Sequence, residues 1–499
     1  MGRRPTRVGW EEPLMGQFDL VKDFFLGMRR SRMSLIGAML VTVVTPLLLG
    51  YMLVDSIWHI QNPYFGGAVY LALGPVFLGG LAMIFLGAFF FRGEREVHLF
   101  TLEYLRKYFT EPELFGRLRK NVYLIVLLTS INFTVFSLFL YRAYHYMEST
   151  NFCGQFCHTV MNPEYTAYQS GPHSRVSCVE CHIGAGADWF VKSKISGARQ
   201  LVAVVANTYP RPIETPVHGL RPARDTCEKC HRPELFHGDK LAVTTHFLPD
   251  EGTTEVHDVL LMKIGSAGDR AQSSHGIHWH VAPENRITYV ATDHSRLVIP
   301  EVRLTSQDGG EVVFRTADAD QLLAAAGARA ERREMDCIDC HNRPSHVYLT
   351  VNEALDRKIL EGGIPRDLPY IKRQALEAVS ASYASDAAAR DGIAAALTGW
   401  YQDNHAELLK TRPELLARAI SGVQAAYAEN VFPAMNIGWG TYVNHVGHGP
   451  DFDIGCFRCH DDQHVSSDGR VISGDCNTCH TLLAEAEADP PILKTLRGE

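Results

Sequence analysis

The stretch that decides the fold is Cys153-Gly-Gln-Phe-Cys157-His158, which is followed at short distance by Cys178-Val-Glu-Cys181-His182. The second stretch has the form Cys-x-x-Cys-His, and four later stretches repeat it, so all twelve cysteines fall into six motifs. We number these motifs 1 to 6 along the chain. Motifs 3 to 6 are Cys227/Cys230/His231, Cys337/Cys340/His341, Cys456/Cys459/His460 and Cys476/Cys479/His480.

The chemistry of these motifs is that of covalent haem attachment. Two thioether bonds hold the haem, and the His after the second cysteine becomes the proximal ligand of its iron. A structural zinc site or a disulfide framework would not need a His at that position. Motif 1 has one extra residue between its cysteines, and we predict that it binds haem as well. The sequence therefore predicts six c-type haems and a role in electron transfer.

The N-terminal part of the chain contains three long apolar stretches, about Ser34–Val54, Gly67–Phe91 and Val122–Tyr141. Each is long enough to cross a bilayer as a helix, which takes roughly 20 apolar residues. The first stretch starts too late for a cleavable signal peptide and lacks a small-residue cleavage site, so we predict that it is an anchor.

The distribution of basic residues predicts the orientation. Lys and Arg precede the first stretch and fill the loop 92–120, whereas the short loop 55–66 has neither. Basic loops stay in the cytoplasm, so the N-terminus and loop 92–120 are predicted to be cytoplasmic and the haem motifs periplasmic, at a bacterial inner membrane crossed several times. The formal net charge of −8 argues against nucleic acid as a partner.

The predicted fold is a membrane-anchored multihaem cytochrome c. Three transmembrane helices would precede a mostly α-helical and irregular periplasmic domain, packed around haems, with a small β-rich insert. The predicted segments are a cytoplasmic N-terminus (1–33), the membrane helices (34–142), a three-haem region (143–239), a β-rich insert (240–330), a fourth haem segment (331–351), a helical insert (352–435) and a C-terminal two-haem segment (436–499).

Two gaps between motifs carry regular patterns. Runs rich in β-formers begin at Val259, Ile287, Val302 and Val312, and Asp308-Gly-Gly predicts a turn between the last two. The run Ala375–Leu397 has helical periodicity and is predicted as one amphipathic helix.

The motifs alone do not identify the second axial ligand of each iron. Of the 23 His, six are proximal and two lie outside the predicted haem region, which leaves fifteen for at most six positions. Sequence context favours some of them, because they lie beside a motif, next to a proline or as a close pair. These candidates are His173, His218, His278, His280, His346, His448 and His464. Met161, three residues after His158, could be a thioether ligand or a core residue.

The block Cys153-Gly-Gln-Phe-Cys-His-Thr-Val-Met-Asn-Pro-Glu-Tyr, then Ser170-Gly-Pro-His and Cys178-Val-Glu-Cys-His, resembles the quinol-oxidising membrane cytochromes of the NapC/NrfH/NirT family. The resemblance covers residues 153–231. The longer spacing of motif 1 departs from the family pattern, as does the position of Met161. In helix count and C-terminal extension the chain is similar to the larger three-helix inner-membrane cytochromes of metal-reducing bacteria, the ImcH-like group.

This resemblance implies a quinol site near the first haem, formed by a Lys and an acidic residue. Lys192, Lys194 and Asp188 fall in the corresponding stretch. The implied function is an inner-membrane quinol dehydrogenase that passes electrons from membrane quinol to periplasmic cytochromes. Two alternatives remain open: a wire subunit of a larger respiratory complex, and a membrane-anchored periplasmic terminal reductase. The absence of a Cys-x-x-Cys-Lys motif argues against the reductase.

Overall fold

The structure is a computed structural model. It describes residues 31–58, 68–90, 110, 112–184, 187–217, 221–232, 238–265, 276–449 and 451–498. The chain forms two compact units, Met1–Phe156 and Cys157–Glu499. The boundary between them falls inside motif 1.

The first unit is helical. Its helices are α1 (Arg32–Trp58), α2 (Gly74–Phe90), which a widened turn at Ala68–Leu73 precedes, and α3 (Pro112–Met147). Glycines let α1 and α2 approach closely, since a Cβ at Gly80 would lie 2.9 Å from Cγ2 of Val41. The predicted loop 92–120 ends earlier than expected, because α3 already begins at Pro112.

One of these helices has the length and composition to cross a membrane. In the described part of the chain, Arg32–Asp55 alone is long and apolar enough to cross a bilayer, and Gly74–Ile84 is a shorter apolar stretch. Large apolar side chains of α1, among them Val43, Leu47 and Leu53, point outward and are exposed. The prediction of three spans stays a prediction.

The second unit begins with short helices around motifs 1 to 3. They are α4 (His158–Ser170), α5 (Cys178–His182), α6 (Ala187–Val205) and α7 (Ala223–Cys227). Motif 2 ends on α5, and motif 3 begins at the end of α7. These helices thus place the attachment cysteines at helix ends and on single turns.

Two antiparallel sheets position the later motifs. The first has the order β1-β2-β8, with β1 at Lys240–Phe247, β2 at Glu255–Met262 and β8 at His480–Glu487. Strand β8 starts at the proximal His of motif 6, so pairing of Met262 with His480 fixes that motif against the sheet.

The second sheet has the order β6-β3-β4-β5-β7. Its strands are β3 (Asn285–Ala291), β4 (Glu301–Ser306), β5 (Glu311–Arg315), β6 (Glu331–Glu334) and β7 (Val465–Ser466). The predicted turn at Asp308-Gly-Gly joins β4 to β5, and Gly309 has the positive φ of 84° that such a turn requires. Helix α8 (Ala319–Ala326) follows β5. Because β6 leads into motif 4 and β7 follows motif 5, this sheet holds both motifs.

The helical insert packs around its own apolar core. Its helices are α10 (Val351–Leu360), α11 (Ile371–Ser380), α12 (Asp386–Asn404), α13 (Ala406–Thr411) and α14 (Pro413–Ala428), and the one-turn helix α9 (Cys337–Cys340) precedes them. The core contains the fully buried side chains Leu355, Leu368, Ile371, Ile393 and Val423. A capping box of Thr350 and Glu353 starts α10. The short helix α15 (Pro491–Arg497) ends the chain.

The prediction of one helix over Ala375–Leu397 was wrong. Helix α11 ends at Ser380, and α12 begins at Asp386. The Ser385 side chain accepts a hydrogen bond from the Ala388 amide, so it caps a new helix rather than continuing the old one. The hydrophobic period runs through this break because both helices present an apolar face to the same core.

A buried ion pair ties the helical insert together. Lys372 on α11 is 1% exposed, and its ammonium group contacts Asp356 on α10 and donates to the Asn352 carbonyl at 3.1 Å. Asp356 also accepts from the Phe247 amide of β1 at 3.3 Å. Burial lowers the pKa of Lys372, and the Asp356 carboxylate opposes that shift. Asp356 therefore links α10, α11 and the first sheet.

We predict that Lys372→Met deprives the buried Asp356 carboxylate of its ammonium partner, which leaves it only the more distant His246 ring at 3.6 Å, and lowers the local unfolding free energy of the helical insert by about 3–5 kcal/mol. Hydrogen exchange of amides in 351–428, measured on the full haem-loaded chain, reports this directly. Lys410→Met is the control, because its exposed pair with Glu407 is worth about 1 kcal/mol or less. Equal protection in both variants would contradict the assigned role.

Candidate haem centres

The local fold of motif 4 depends on two aspartates. Asp336 accepts from the Ile338 amide at 3.0 Å, and its own amide donates to Asp339 at 2.7 Å, which forms a capping box around the single turn of α9. Asp339, between the two cysteines, is buried and also accepts from the Tyr289 hydroxyl at 2.6 Å. Strand β3 therefore anchors the motif that carries Cys337 and Cys340.

Motifs 5 and 6 use other local devices. The Cys456 amide donates to the Gly447 carbonyl at 3.0 Å, and a Cβ on Gly455 would overlap that carbonyl, so only glycine fits before motif 5. At motif 6, Asp475 accepts from the Asn477 amide at 2.9 Å and so caps the turn that holds Cys476 and Cys479.

Four proximal histidines each face a second His from elsewhere in the chain. An iron between two imidazoles would separate their ring centres by about 6 Å, because each metal–nitrogen bond is about 2 Å and each ring centre lies about 1 Å further. The structure gives ring-centre distances of 6.0 Å for His173–His231, 6.2 Å for His182–His346, 6.4 Å for His278–His341 and 5.8 Å for His280–His460. Each distance suits a shared iron.

His448 lies near the proximal His of motif 6. Burial lowers the pKa of His480, and His448 lowers it further, which places the His448 ring within electrostatic range of motif 6. Burial likewise lowers the pKa of His280, and the facing His460 adds to the effect. A lowered pKa keeps the imidazole neutral, which is the form that binds iron.

The hydrogen bonds of the five facing histidines fix their tautomers. In each ring Nδ1 lies 2.7–3.1 Å from a backbone carbonyl oxygen, which can only accept. Nδ1 therefore carries the proton, and Nε2 keeps its lone pair for a metal, the arrangement usual for a histidine ligand. The acceptors are Pro344 for His173, Glu164 for His346, Ile264 for His278, Ile277 for His280 and Gly449 for His448.

One short turn serves two motifs. His278 and His280 lie on a single 3₁₀ turn, Ile277–Val281, instead of the strand that would have placed them on one face. The turn directs His278 to His341 of motif 4 and His280 to His460 of motif 5. The β-rich insert thus supplies ligand candidates to two neighbouring haems, as the sequence spacing suggested.

Motifs 2 to 6 lie near one another in sequence order. The sulphur atoms of Cys181 in motif 2 and Cys230 in motif 3 are near enough to interact electrostatically, and Cys227 of motif 3 lies beside Cys337 of motif 4. Burial raises the pKa of Cys459 in motif 5 to about 12, with smaller contributions that include Cys340 of motif 4. Cys479 of motif 6 interacts with Cys456 of motif 5.

One of the predicted histidine ligands, His464, is placed differently. His464 is 1% exposed, its Nδ1 lies 2.8 Å from Asp461 Oδ1 and its Nε2 lies 2.7 Å from the Ile299 carbonyl oxygen. Because that carbonyl only accepts, Nε2 carries a proton, which argues against the prediction that His464 binds iron. His218 lies outside the described residues.

Motif 1 differs from the others in its ligand geometry. His158 begins α4, and Met161 follows one turn later on the same helix. Side chains three residues apart share a helix face, so His158 and Met161 favour adjacent rather than opposite positions around one iron. We therefore treat them as alternatives for this haem.

A buried cationic pocket between motifs 4 and 5 also fits haem. His445 is 5% exposed, and its buried Nδ1 has no hydrogen-bond partner among the described residues. Burial lowers the pKa of His445 to about 4, and Arg458 and Arg343 lower it further. Arg343 already pairs with Glu164 at 3.5 Å and Arg458 donates to backbone carbonyls, so the Nδ1 of His445 is the group that a haem propionate would satisfy. This pocket was not found from the sequence, where His445 carried no signal.

The residues implied as a quinol site lie on α6. The Lys192 ammonium group sits 4.7 Å from the Trp189 ring centre, and that of Lys194 sits 4.8 Å from the Phe190 ring centre. Residues two apart on a helix do not face each other, so the two lysines do not share one site. Position 188 precedes 192 by one turn, but the Asp188 side chain lies outside the described residues.

Comparison with known proteins decides the family. The chain is 39% identical over 467 residues to the cytochrome c-type protein ImcH of Geobacter sulfurreducens, across 93% of this chain and 90% of that protein. The chain belongs to the ImcH family of c-type cytochromes. It is also 30% identical to the cytochrome c-type protein NrfH of Wolinella succinogenes over 111 residues, which cover 22% of this chain and 62% of that protein.

The other comparisons gave no match. Neither a family model nor a solved structure is similar to the chain. As a member of the ImcH family the protein binds covalent haem and transfers electrons.

We predict that His278→Ala removes the distal ligand of the motif 4 haem and converts about one sixth of the total haem to the high-spin form. Electron paramagnetic resonance of the oxidised protein measures the high-spin fraction. His464→Ala is the matched control: it removes two buried hydrogen bonds and lowers thermal stability but leaves the spin state unchanged. High-spin haem in the control and none in His278→Ala would overturn the ligand pairing.

Proposed function

We propose that the protein is an inner-membrane quinol dehydrogenase that passes electrons through six c-type haems to periplasmic acceptors. The N-terminus is cytoplasmic in this proposal, three helices cross the bilayer, and the haem motifs are periplasmic. The acceptors are periplasmic cytochromes or other subunits of a respiratory complex. When bound, haem supplies reversible one-electron chemistry, and the protein supplies its position and electrostatic environment.

The observation that carries the proposal is that consecutive motifs from 2 to 6 lie near one another. Thiols of motifs 2 and 3, 3 and 4, 4 and 5, and 5 and 6 interact in that order. With haem bound, the facing histidines of motifs 2 to 5, and His448 near motif 6, would give each iron a second ligand and a six-coordinate form. This form has no open position for a substrate, which favours electron transfer over a terminal reductase at these five motifs.

Quinol oxidation also needs a proton acceptor, because a quinol releases two protons with its two electrons. On α6, positions 188 and 192 lie one turn apart and can serve one site, whereas Lys194 points elsewhere. We therefore assign the proton acceptor to Lys192 with Asp188. The resemblance to quinol-oxidising cytochromes around motifs 1 and 2 supports this assignment.

The second candidate function is a wire subunit, in which another polypeptide oxidises the quinol. The proximity of consecutive motifs suits this function equally well. The two functions differ in whether the purified chain reacts with quinol.

The experiment mixes the detergent-solubilised, haem-loaded chain with a menaquinol analogue and follows haem absorbance in a stopped-flow instrument. We predict fast reduction of all haems, slowed at least about tenfold in Lys192→Ala, because general acid–base groups contribute about 10²–10⁴-fold. Lys194→Ala should react nearly as the unaltered chain does. No reduction by quinol, with full reduction by dithionite, would favour the wire subunit.

Removal of one motif tests the order in which electrons pass between the haems. In Cys337→Ala/Cys340→Ala the chain lacks the motif 4 haem, and quinol should rapidly reduce the haems before the gap but not those of motifs 5 and 6. Cys476→Ala/Cys479→Ala is the matched control, since loss of the last motif leaves every earlier one connected. Rapid reduction of all remaining haems in the first variant would contradict a linear order.

A further inference from the structure

The apolar face of helix α6 (Ala187–Val205) is exposed. Its large apolar residues are exposed: Val191 by 54%, Ile195 by 69%, Val202 by 67% and Val205 by 80%. On a helix with about 100° per residue these positions, together with Ala198, form one stripe. A helix of a water-soluble domain normally buries such a stripe.

The opposite side of α6 is polar and is in part less exposed. Ser193 and Ser196 are half-buried, the Ser193 hydroxyl donates to the Phe190 carbonyl at 2.7 Å and Gln200 donates to Ser196 at 3.2 Å. Trp189 is half-buried as well. The helix therefore directs its hydroxyl groups inward and its branched aliphatic side chains outward.

Basic residues border the apolar stripe on both sides. At about 100° per residue, Lys194 lies on one border, and Lys192 and Arg199 lie on the other. Asp188 is the one acidic residue in the helix sequence. The aliphatic stems of Lys and Arg can lie along apolar surface while their charges reach anionic groups.

We propose that the Val191–Ile195–Val202–Val205 stripe of α6 lies in the surface of a bilayer, with Lys192, Lys194 and Arg199 at the level of anionic lipid headgroups. An apolar stripe between cationic borders is the pattern of an interfacial helix. A protein partner would require acidic groups around an apolar groove and nothing in the stripe selects one. The inference rests on the proposed membrane location of the chain and extends it to the haem-bearing unit.

The consequence for function is a shorter path for quinol. With α6 at the bilayer surface, Lys192 on its border would meet a quinol headgroup without that molecule leaving the lipid. The helix would then act as the entrance to the haem-bearing unit.

The test places a photoreactive p-benzoylphenylalanine at Ile195 in the full haem-loaded chain, reconstituted in nanodiscs of phosphatidylethanolamine and phosphatidylglycerol. We expect lipid adducts, detected by mass spectrometry, at least about tenfold above those from the same substitution at Gln200 on the polar face. The same group at Val43, exposed on the apolar helix α1, reports whether the chain is in the bilayer at all.

Three outcomes distinguish the lipid contact of α6 from the membrane location of the chain. Adducts at positions 43 and 195 but not at 200 support the proposal. Adducts at 43 alone, or crosslinks from 195 to haem or to residues 1–156, overturn it and leave the membrane location intact. No adducts at 43 would instead refute the membrane location on which the proposed function rests.

Discussion

The constraint on which the rest of the structure depends is the second axial bond of each iron. A motif fixes three points of a haem locally, through two thioether sulphurs and the proximal His. For motifs 2 to 6 the fourth point would come from another part of the chain, which has to hold an imidazole about 6 Å from the proximal ring. His346 reaches back to motif 2, and His280 reaches forward to motif 5. Such pairs join distant segments as a core would.

This constraint explains why the helical insert and the segments around the haem motifs are built differently. The helical insert has a continuous apolar core of its own and a buried Lys372–Asp356 pair. Around the motifs the apolar clusters are small, and short turns with capping aspartates carry the cysteines. The backbone carbonyls that accept from His173 and His278 belong to Pro344 and Ile264, which lie outside helices and strands. Irregular backbone is therefore used to aim imidazoles rather than to fill space.

Many elements of the fold and of the haem sites could be predicted from the sequence. The features that could not be predicted were missed for a physical reason. The motifs, the strand runs and the candidates His173, His278, His280, His346 and His448 follow from local patterns. Which candidate faces which motif does not, because pairing is set by tertiary contacts. His464 lies beside motif 5 in sequence like a true candidate, but its two ring nitrogens are already hydrogen-bonded. The break between α11 and α12 was missed because one hydrophobic period continues through both helices.

The central claim is that five haems have two histidine ligands and that the haem of motif 1 does not. Near-infrared magnetic circular dichroism of the oxidised protein measures this most directly, since bis-histidine and histidine–methionine haems absorb at different wavelengths. The account predicts a bis-histidine intensity that corresponds to five of the six haems. An intensity corresponding to four or fewer haems would contradict the histidine pairings, and an intensity corresponding to all six would contradict the claim for motif 1.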